Sequence, residues 1–281
     1  MDLARCSLNS VTVRAASFDE LVMLAERHGF GGVGLWRDSF ADVGVEAAAR
    51  RVRAAGLRVT SVCRGGMFPQ RDEAGRRAAH DDNRRAVDET RELGGDCLVL
   101  VCGAATGRDL AAARAQIEDG IAELLPHAGA AGVPLAVEPM HPMMIADRSA
   151  ITSLAEANDL VERLASPWLG LALDSYHLWW DAALAAELAR AAGRMLSVQL
   201  SDWVLPIRGL LSSRGMPGEG CIDLEAFVAA TRRAGYAGLV EVEVLSERWW
   251  GVAPADGARA AAAALSAVPD SAVPDSAALL H

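Results

Sequence analysis

Eight short apolar runs recur along the chain with helix-like segments between them, and this alternation limits the fold more than any other feature. The runs with strand character are Arg5–Asn9, Gly32–Trp36, Arg58–Cys63, Cys97–Cys102, Pro134–Glu138, Leu169–Asp174, Leu196–Ser201 and Leu239–Leu245. Several are apolar throughout, as in Cys97-Leu98-Val99-Leu100-Val101-Cys102. That is the pattern of a strand buried on both faces of a parallel sheet. The segments between them, among them Phe18–His28, Asp81–Leu93, Asp109–Leu125, Ser153–Leu164 and Leu224–Ala234, are rich in good helix formers. Gly29, Gly56, Gly94 and Gly235 stand near helix ends, where a left-handed residue closes the last turn. Eight such units at a spacing of roughly 30 residues predict an α/β fold, a single (β/α)8 barrel, which needs about 250 residues. A doubly wound sheet is the alternative. Its glycine-rich phosphate turn after the first strand is missing, and Asn9-Ser10-Val11-Thr12 stands there. The barrel is expected over residues 1–265. A flexible tail is expected over 266–281, where the five residues SAVPD occur twice in succession.

Composition narrows the function classes. All 27 basic residues are arginine, so Schiff-base and pyridoxal chemistry has no amine to use and a P-loop has no lysine. A formal charge of −10 opposes a nucleic-acid partner. No apolar run is long enough to span a membrane. The five cysteines form no CxxC pair, and Met1-Asp2-Leu3-Ala4-Arg5 does not resemble a secretion signal. A cytoplasmic protein with reduced, mostly buried thiols is expected. Nothing in the composition stands against a homo-oligomer.

The active sites of such barrels lie at the C-terminal ends of the strands. There the fifth run ends in Glu138, the sixth in Asp174, the seventh carries Gln199 and the eighth carries Glu243. A single acid at a strand end is usually a cap or an ion-pair partner. Four oxygen donors on consecutive strands form a hard donor set suited to one divalent metal ion, Mn²⁺ or Mg²⁺. Glu241 faces the same side as Glu243, because side chains alternate with period two. Glu243 is nearer the rim and is the expected ligand.

Four segments carry a family resemblance: Ser61–Gly66 (SVCRGG), Leu135–Ser149 (LAVEPMHPMMIADRS), Leu173–Trp180 (LDSYHLWW) and Arg214–Leu224 (RGMPGEGCIDL). With Ser7-Leu8-Asn9, Gly34–Arg37 and Val242-Glu243-Val244, the chain resembles the xylose-isomerase-like TIM barrels, a family of sugar phosphate isomerases and epimerases, over nearly its whole length. The resemblance implies the same metal ligands: Glu138, Asp174, Gln199 and Glu243. One position departs from it. The third ligand is most often histidine, although related hydroxypyruvate isomerases carry glutamine there. Replacing imidazole by an amide should favour Mg²⁺ or Mn²⁺ over later transition metals.

The same resemblance implies substrate contacts at His177, in the family's D-x-x-H pattern, and at Arg214. His141 and Arg64 join them as candidates, Arg64 through a planar fork suited to carboxylate or phosphate. A local hydrogen bond for His177 and pairing with acids for the arginines are the competing roles. Trp36, Trp179, Trp180 and Trp203 fall near strand ends, where they either line a sugar-sized pocket or pack. Asp202 is expected to orient a neighbour.

The expected chemistry is proton transfer next to a carbonyl through an enediolate, with Glu138 and Glu243 as the acid–base pair. The substrate would be a small sugar or sugar-like molecule. Loss of hydroxide from the same enediolate would give a dehydratase or lyase on a keto-sugar or inosose. A metal-free binding protein is the non-catalytic alternative.

Overall fold

The computed structural model describes residues 1–270. Eight strands form the barrel: β1 (Cys6–Asn9), β2 (Gly32–Trp36), β3 (Arg58–Gly66), β4 (Leu98–Val101), β5 (Leu135–Val137), β6 (Leu169–Asp174), β7 (Met195–Leu200) and β8 (Val240–Val242). They close in the order β1-β8-β7-β6-β5-β4-β3-β2, with parallel pairing throughout. Closure leaves no strand edge unpaired. Each of the eight expected runs coincides with one strand. Glu138 and Glu243 lie just past the ends of β5 and β8. Their backbone N–H groups still donate to Leu100 (3.2 Å) and Leu200 (3.0 Å), so both backbones stay anchored.

The helices follow from local chemistry. Helix Phe18–His28 starts where Ser17 Oγ accepts the Glu20 N–H and stops at Gly29, whose φ of 79° few other residues adopt at so little cost. The segment expected to start at Asp81 starts instead at Glu73, because Asp72 caps it through the Gly75 N–H (2.8 Å). The helix expected over Asp109–Leu125 continues through Pro126 to Ala131 and ends at Gly132, with φ 70°. One element had no counterpart in the expected pattern: Asp202–Trp203 and Arg214–Gly215 form a short antiparallel ribbon above the barrel. Ser266 and Ala267 extend the last helix, Pro254–Ala267, and Asp270 pairs with Arg5 (3.0 Å) and Arg232 (3.3 Å). The rest of the expected tail, residues 271–281, lies outside the described residues. Among the described residues no helix is long and apolar enough to cross a membrane. Cys6, Cys63, Cys97 and Cys102 are buried and Cys221 is exposed.

Alternation along the strands separates two environments. Outward residues such as Leu8, Leu35, Leu100, Leu173, Leu200 and Val242 are fully buried beneath the helices. The barrel lumen divides into two halves. Cys97, Val99, Ala136 and Ala172 fill an apolar half. The other half is polar and centres on the Glu241 carboxylate, which accepts hydrogen bonds from Asn9 Nδ2 (2.6 Å), Thr60 Oγ1 (2.7 Å), Ser61 Oγ (2.8 Å) and Gln199 Nε2 (3.1 Å).

Glycine on β2 makes room for this carboxylate. A Cβ at Gly34 would stand 2.4 Å from Glu241 Cδ. Gly34→Ala should therefore destabilise the fold by about 1–3 kcal/mol, the usual cost of overpacking a filled interior. Urea unfolding measures this, and an unchanged midpoint would contradict the tight fit of Glu241 against β2.

Candidate active site

Register brings three acids and one amide, from four neighbouring strands, to one rim. Asp174 on β6 lies opposite Gln199 on β7, and Gln199 lies opposite Glu241 on β8. Two residues beyond Glu241, Glu243 reaches the mouth, while Glu138 stands at the far end of the same arc, after β5. Glu138, Asp174, Gln199 and Glu243 are all buried.

Little positive charge compensates them. Arg214 NH1 lies 2.5 Å from Asp174 Oδ2 and 3.4 Å from Glu243 Oε2, and it also reaches Ser201 Oγ (3.3 Å). Burial pushes the Glu243 carboxyl up to about 7, with Arg214 partly opposing the rise. Burial, reinforced by Glu243 and Asp174, holds the Glu138 carboxyl well above its usual range. Burial also raises the Asp174 carboxyl, against the pull of Arg214. Carboxylates crowded in a dry site retain protons near neutrality or need a cation.

Neutral donors hold Glu243 in place. Its Oε1 accepts from Trp36 Nε1 (3.0 Å) and Asn9 Nδ2 (3.1 Å). Trp36, a candidate for contact with substrate, lines both the inner space and the adjoining groove while its indole N–H orients an acid. Asn9 is a site residue missing from the expected set. It stands at the C-terminal end of β1, and the rule that exposed the three acids and Gln199 would have found it there.

His177 is fully buried and lies 3.1 Å from Arg214 NH2, 3.7 Å from Asp174 Oδ2 and 3.9 Å from Glu138 Oε1. Burial and the guanidinium of Arg214 hold its pKa well below the usual histidine value, so the ring is neutral. Glu138, Asp174 and His177 each offer one donor atom, all within 4.8 Å of one another. The His141 N–H donates to His177 Nδ1 (3.2 Å), and the His141 ring stands 5.0 Å from the Trp203 ring. Trp203 stacks on Tyr176 (4.6 Å), and Arg214 lies over the other ring system of the pair, 4.7 Å from the Tyr176 centroid. Trp203 thus packs. Trp180 is partly exposed and donates to the His177 carbonyl (2.8 Å).

Arg214 reaches the mouth because its loop is pinned. The Asp202 carboxylate accepts backbone N–H groups from Trp203 (2.8 Å), Gly218 (2.9 Å), Gly220 (2.9 Å) and Ile222 (3.0 Å). The neighbour that Asp202 orients is a whole loop. Its sequence signal is the Gly215–Gly220 run, whose free amides need an acceptor.

Arg64, Glu138, Arg214 and Glu243 border a small inner space of about 20 Å³, roughly the room one water needs. A groove of about 500 Å³ opens beside it between the β1 and β2 loops, sharing Trp36, Arg148, Leu211 and Leu245 with the inner space. That volume lies in the range of small-molecule sites.

The donor set is chemically suited to a divalent cation. Gln199 Oε1 is buried and accepts no hydrogen bond, while its Nε2 is committed to Glu241. A buried acceptor without a donor is costly, and a cation would satisfy it.

The family model described as xylose isomerase-like TIM barrel matches residues 22–268. The 3-dehydroshikimate dehydratase of Pseudomonas aeruginosa is 31% identical over 170 residues, 58% of this chain and 25% of that protein. The inosose isomerase of Bacillus velezensis is 25% identical over 187 residues, 66% of each chain. The chain thus spans about a quarter of the dehydratase and just under two thirds of the isomerase. A protein of Sinorhizobium meliloti 1021 of known structure is 43% identical, with a TM-score of 0.91 over 94% of this chain and 98% of that one. The IOLI protein, crystallised with a bound zinc atom, shares the fold at a TM-score of 0.80 and 21% identity over 94% of this chain and 97% of its own.

The raised Glu243 carboxyl has a measurable consequence for the metal-free protein. An acid whose folded pKa exceeds its unfolded one contributes stability below the unfolded value and loses it as pH rises through the folded one. For Glu243 that window runs from its ordinary 4.5 to about 7. Glu243→Gln, which cannot ionise, should therefore gain on the wild type between about pH 5 and about pH 8. A differential on the order of 1–3 kcal/mol would move the melting midpoint by about 2–4 °C per kcal/mol. Melting curves recorded in chelator would contradict the raised carboxyl if the difference between the two proteins stayed constant with pH.

Proposed function

The chain belongs to the xylose isomerase-like TIM barrel family, and from that premise we propose that it is a divalent-metal-dependent isomerase or epimerase of a sugar or sugar-like keto or polyol substrate. The observation that carries this reading is the rim itself: three buried carboxylates, one contacting guanidinium and a buried amide oxygen without a hydrogen-bond donor. A binding protein without metal would gain nothing from so costly an arrangement.

Glu138, Asp174, Gln199 and Glu243 would hold the metal, and their oxygen donors suit Mn²⁺ or Mg²⁺. When bound, such an ion supplies Lewis acidity toward a carbonyl oxygen and an adjacent hydroxyl. The chain's own residues do the rest. Glu138 and Glu243 stand at opposite ends of the four-strand arc, the Glu138 carboxyl held well above its usual range and the Glu243 carboxyl pushed up to about 7. An acid–base pair works best in that range. One removes the proton from the carbon next to the carbonyl, and the other returns a proton to the resulting enediolate. Return to the opposite face gives an epimer, and return to the neighbouring carbon gives an isomer. Trp36 and Asn9 keep Glu243 oriented through both transfers. His177 and Arg214 hold substrate oxygens. Arg64 faces the inner space, where its planar fork would meet an anionic or carbonyl group. His141 lines the approach to His177. The 500 Å³ groove accommodates the remainder of a sugar-sized molecule.

A second reading is supported by the 31% identity to a dehydratase. Proton removal by the same glutamate, followed by loss of hydroxide, would make the chain a lyase of a cyclic keto-polyol. Both readings share the first step, so one experiment tests them together. Protein reconstituted with Mn²⁺ should carry about one ion per chain and should catalyse deuterium incorporation from D₂O next to the carbonyl of a keto-sugar or inosose. Glu138→Gln and Glu243→Gln should each lower that exchange by about 10²–10⁴-fold. Tightly held zinc without any response to Mn²⁺ would contradict the ligand set. Exchange that survives both substitutions would remove the acid–base pair.

A further inference from the structure

The two ends of a glutamine amide have nearly the same shape, so only their hydrogen-bond partners decide which end faces which way. At Gln199 this choice decides whether the rim receives an oxygen or an NH₂ group, and only the oxygen can ligate a cation. Gln199 Nε2 lies 3.1 Å from Glu241 Oε1. Turning the amide over would put its oxygen against a carboxylate at that distance. Gln199 Oε1 is left buried and without a donor.

Glu241 is itself immobilised. Asn9 Nδ2, Thr60 Oγ1 and Ser61 Oγ donate to it, and its carboxylate occupies the space that a Cβ at Gly34 would take. Asn9 is fixed in the same way. Its Nδ2 is shared between Glu241 Oε1 and Glu243 Oε1, while its Oδ1 accepts the Val11 N–H (2.9 Å). One carboxylate below the rim therefore sets the orientation of two amides, and one of these contacts Glu243.

We propose that Glu241 is a positioning residue that locks the Gln199 amide with its oxygen, rather than its NH₂ group, presented as a metal donor. The inference rests on the metal reading given above and extends it to a residue that touches neither metal nor substrate. Where imidazole would offer only nitrogen, an amide needs this partner to choose its end. Partners that fix a ligand's orientation from beneath typically change metal affinity by about 10–100-fold.

The test is a double-mutant cycle read by calorimetric titration of Mn²⁺ into stripped protein. Glu241→Gln should bind Mn²⁺ at least about 10-fold more weakly than the wild type. In a Gln199→Leu background, Glu241→Gln should cause a clearly smaller loss, confined to what Asn9 passes on to Glu243, because the Gln199 amide it orients is gone. An equal loss in both backgrounds would mean a merely structural role and overturn the inference, as would wild-type affinity in Glu241→Gln. Nuclear magnetic resonance of the metal-free protein gives a second readout. The Gln199 side-chain NH₂ pair, identified by its absence in Gln199→Leu, should shift or broaden in Glu241→Gln. An unmoved pair would overturn the inference. If Glu241→Gln fails to fold, Ser61→Ala removes one anchor of the carboxylate and should weaken Mn²⁺ binding in the same direction to a smaller extent. Unchanged affinity there would count against the lock. A wild type that binds no Mn²⁺ would defeat the metal reading, and the amide lock would then stand or fall on the resonance of Gln199 alone.

Discussion

Four carboxylates lie buried in the upper part of one barrel, and the rest of the site is arranged around keeping them there. An isolated buried charge is prohibitively costly, so each acid needs compensation. The protein uses two kinds. Glu241 is surrounded by neutral donors, two amides and two hydroxyls, which satisfy its carboxyl oxygens with hydrogen bonds alone. The rim acids are less well served. Arg214 contacts Asp174 and Glu243, and the remaining imbalance appears as carboxyls raised above their usual range, Glu243 to about 7. The contrast separates a structural acid from chemically available ones within two residues of a single strand.

The polar half of the lumen is therefore part of the site's support. Ser7, Thr60 and Ser61 are polar residues where a barrel interior is commonly filled with branched apolar side chains. Their placement lets β1, β3, β7 and β8 converge on one carboxylate. Across the lumen, Cys97, Val99, Ala136 and Ala172 close the core by packing. The strands that carry the apolar half still contribute Glu138 and Asp174 at their tips. β5 and β6 thus change character along their length, from packing at the bottom to chemistry at the top.

Much of this was legible in the sequence. The eight runs correspond to the eight strands because burial on both faces leaves a strongly apolar signature, unbroken in strands such as β4 and interrupted where β1, β3, β7 and β8 turn polar residues into the lumen. The rim acids stood out because an acid directly after such a run is costly unless something uses it. What stayed hidden depends on distance along the chain. The Asn9–Glu241 contact joins residues 232 positions apart, and no local pattern announces it. The ribbon of Asp202–Trp203 and Arg214–Gly215 has two residues per strand, too few for any periodicity to show. Trp36 was legible as a rim aromatic, but its indole N–H serving Glu243 requires β2 and β8 to close on either side of β1, which joins the two ends of the chain. The start of the helix at Glu73 was lost because its first turns are polar, whereas its capping aspartate was visible all along.

Asp202 ties two functions to one mechanical element. It stands three residues beyond Gln199 on the same stretch of chain, and three of its backbone contacts hold the loop that returns Arg214 to the mouth. The tip of β7 and the arginine loop therefore behave as a single lever. A loop of different length or sequence transplanted between Trp203 and Ile222 would keep its aim only if it offered backbone N–H groups at the same three points. Modularity in this barrel is set by that clasp: the segment beyond it is free to vary in shape, while its two ends must travel together.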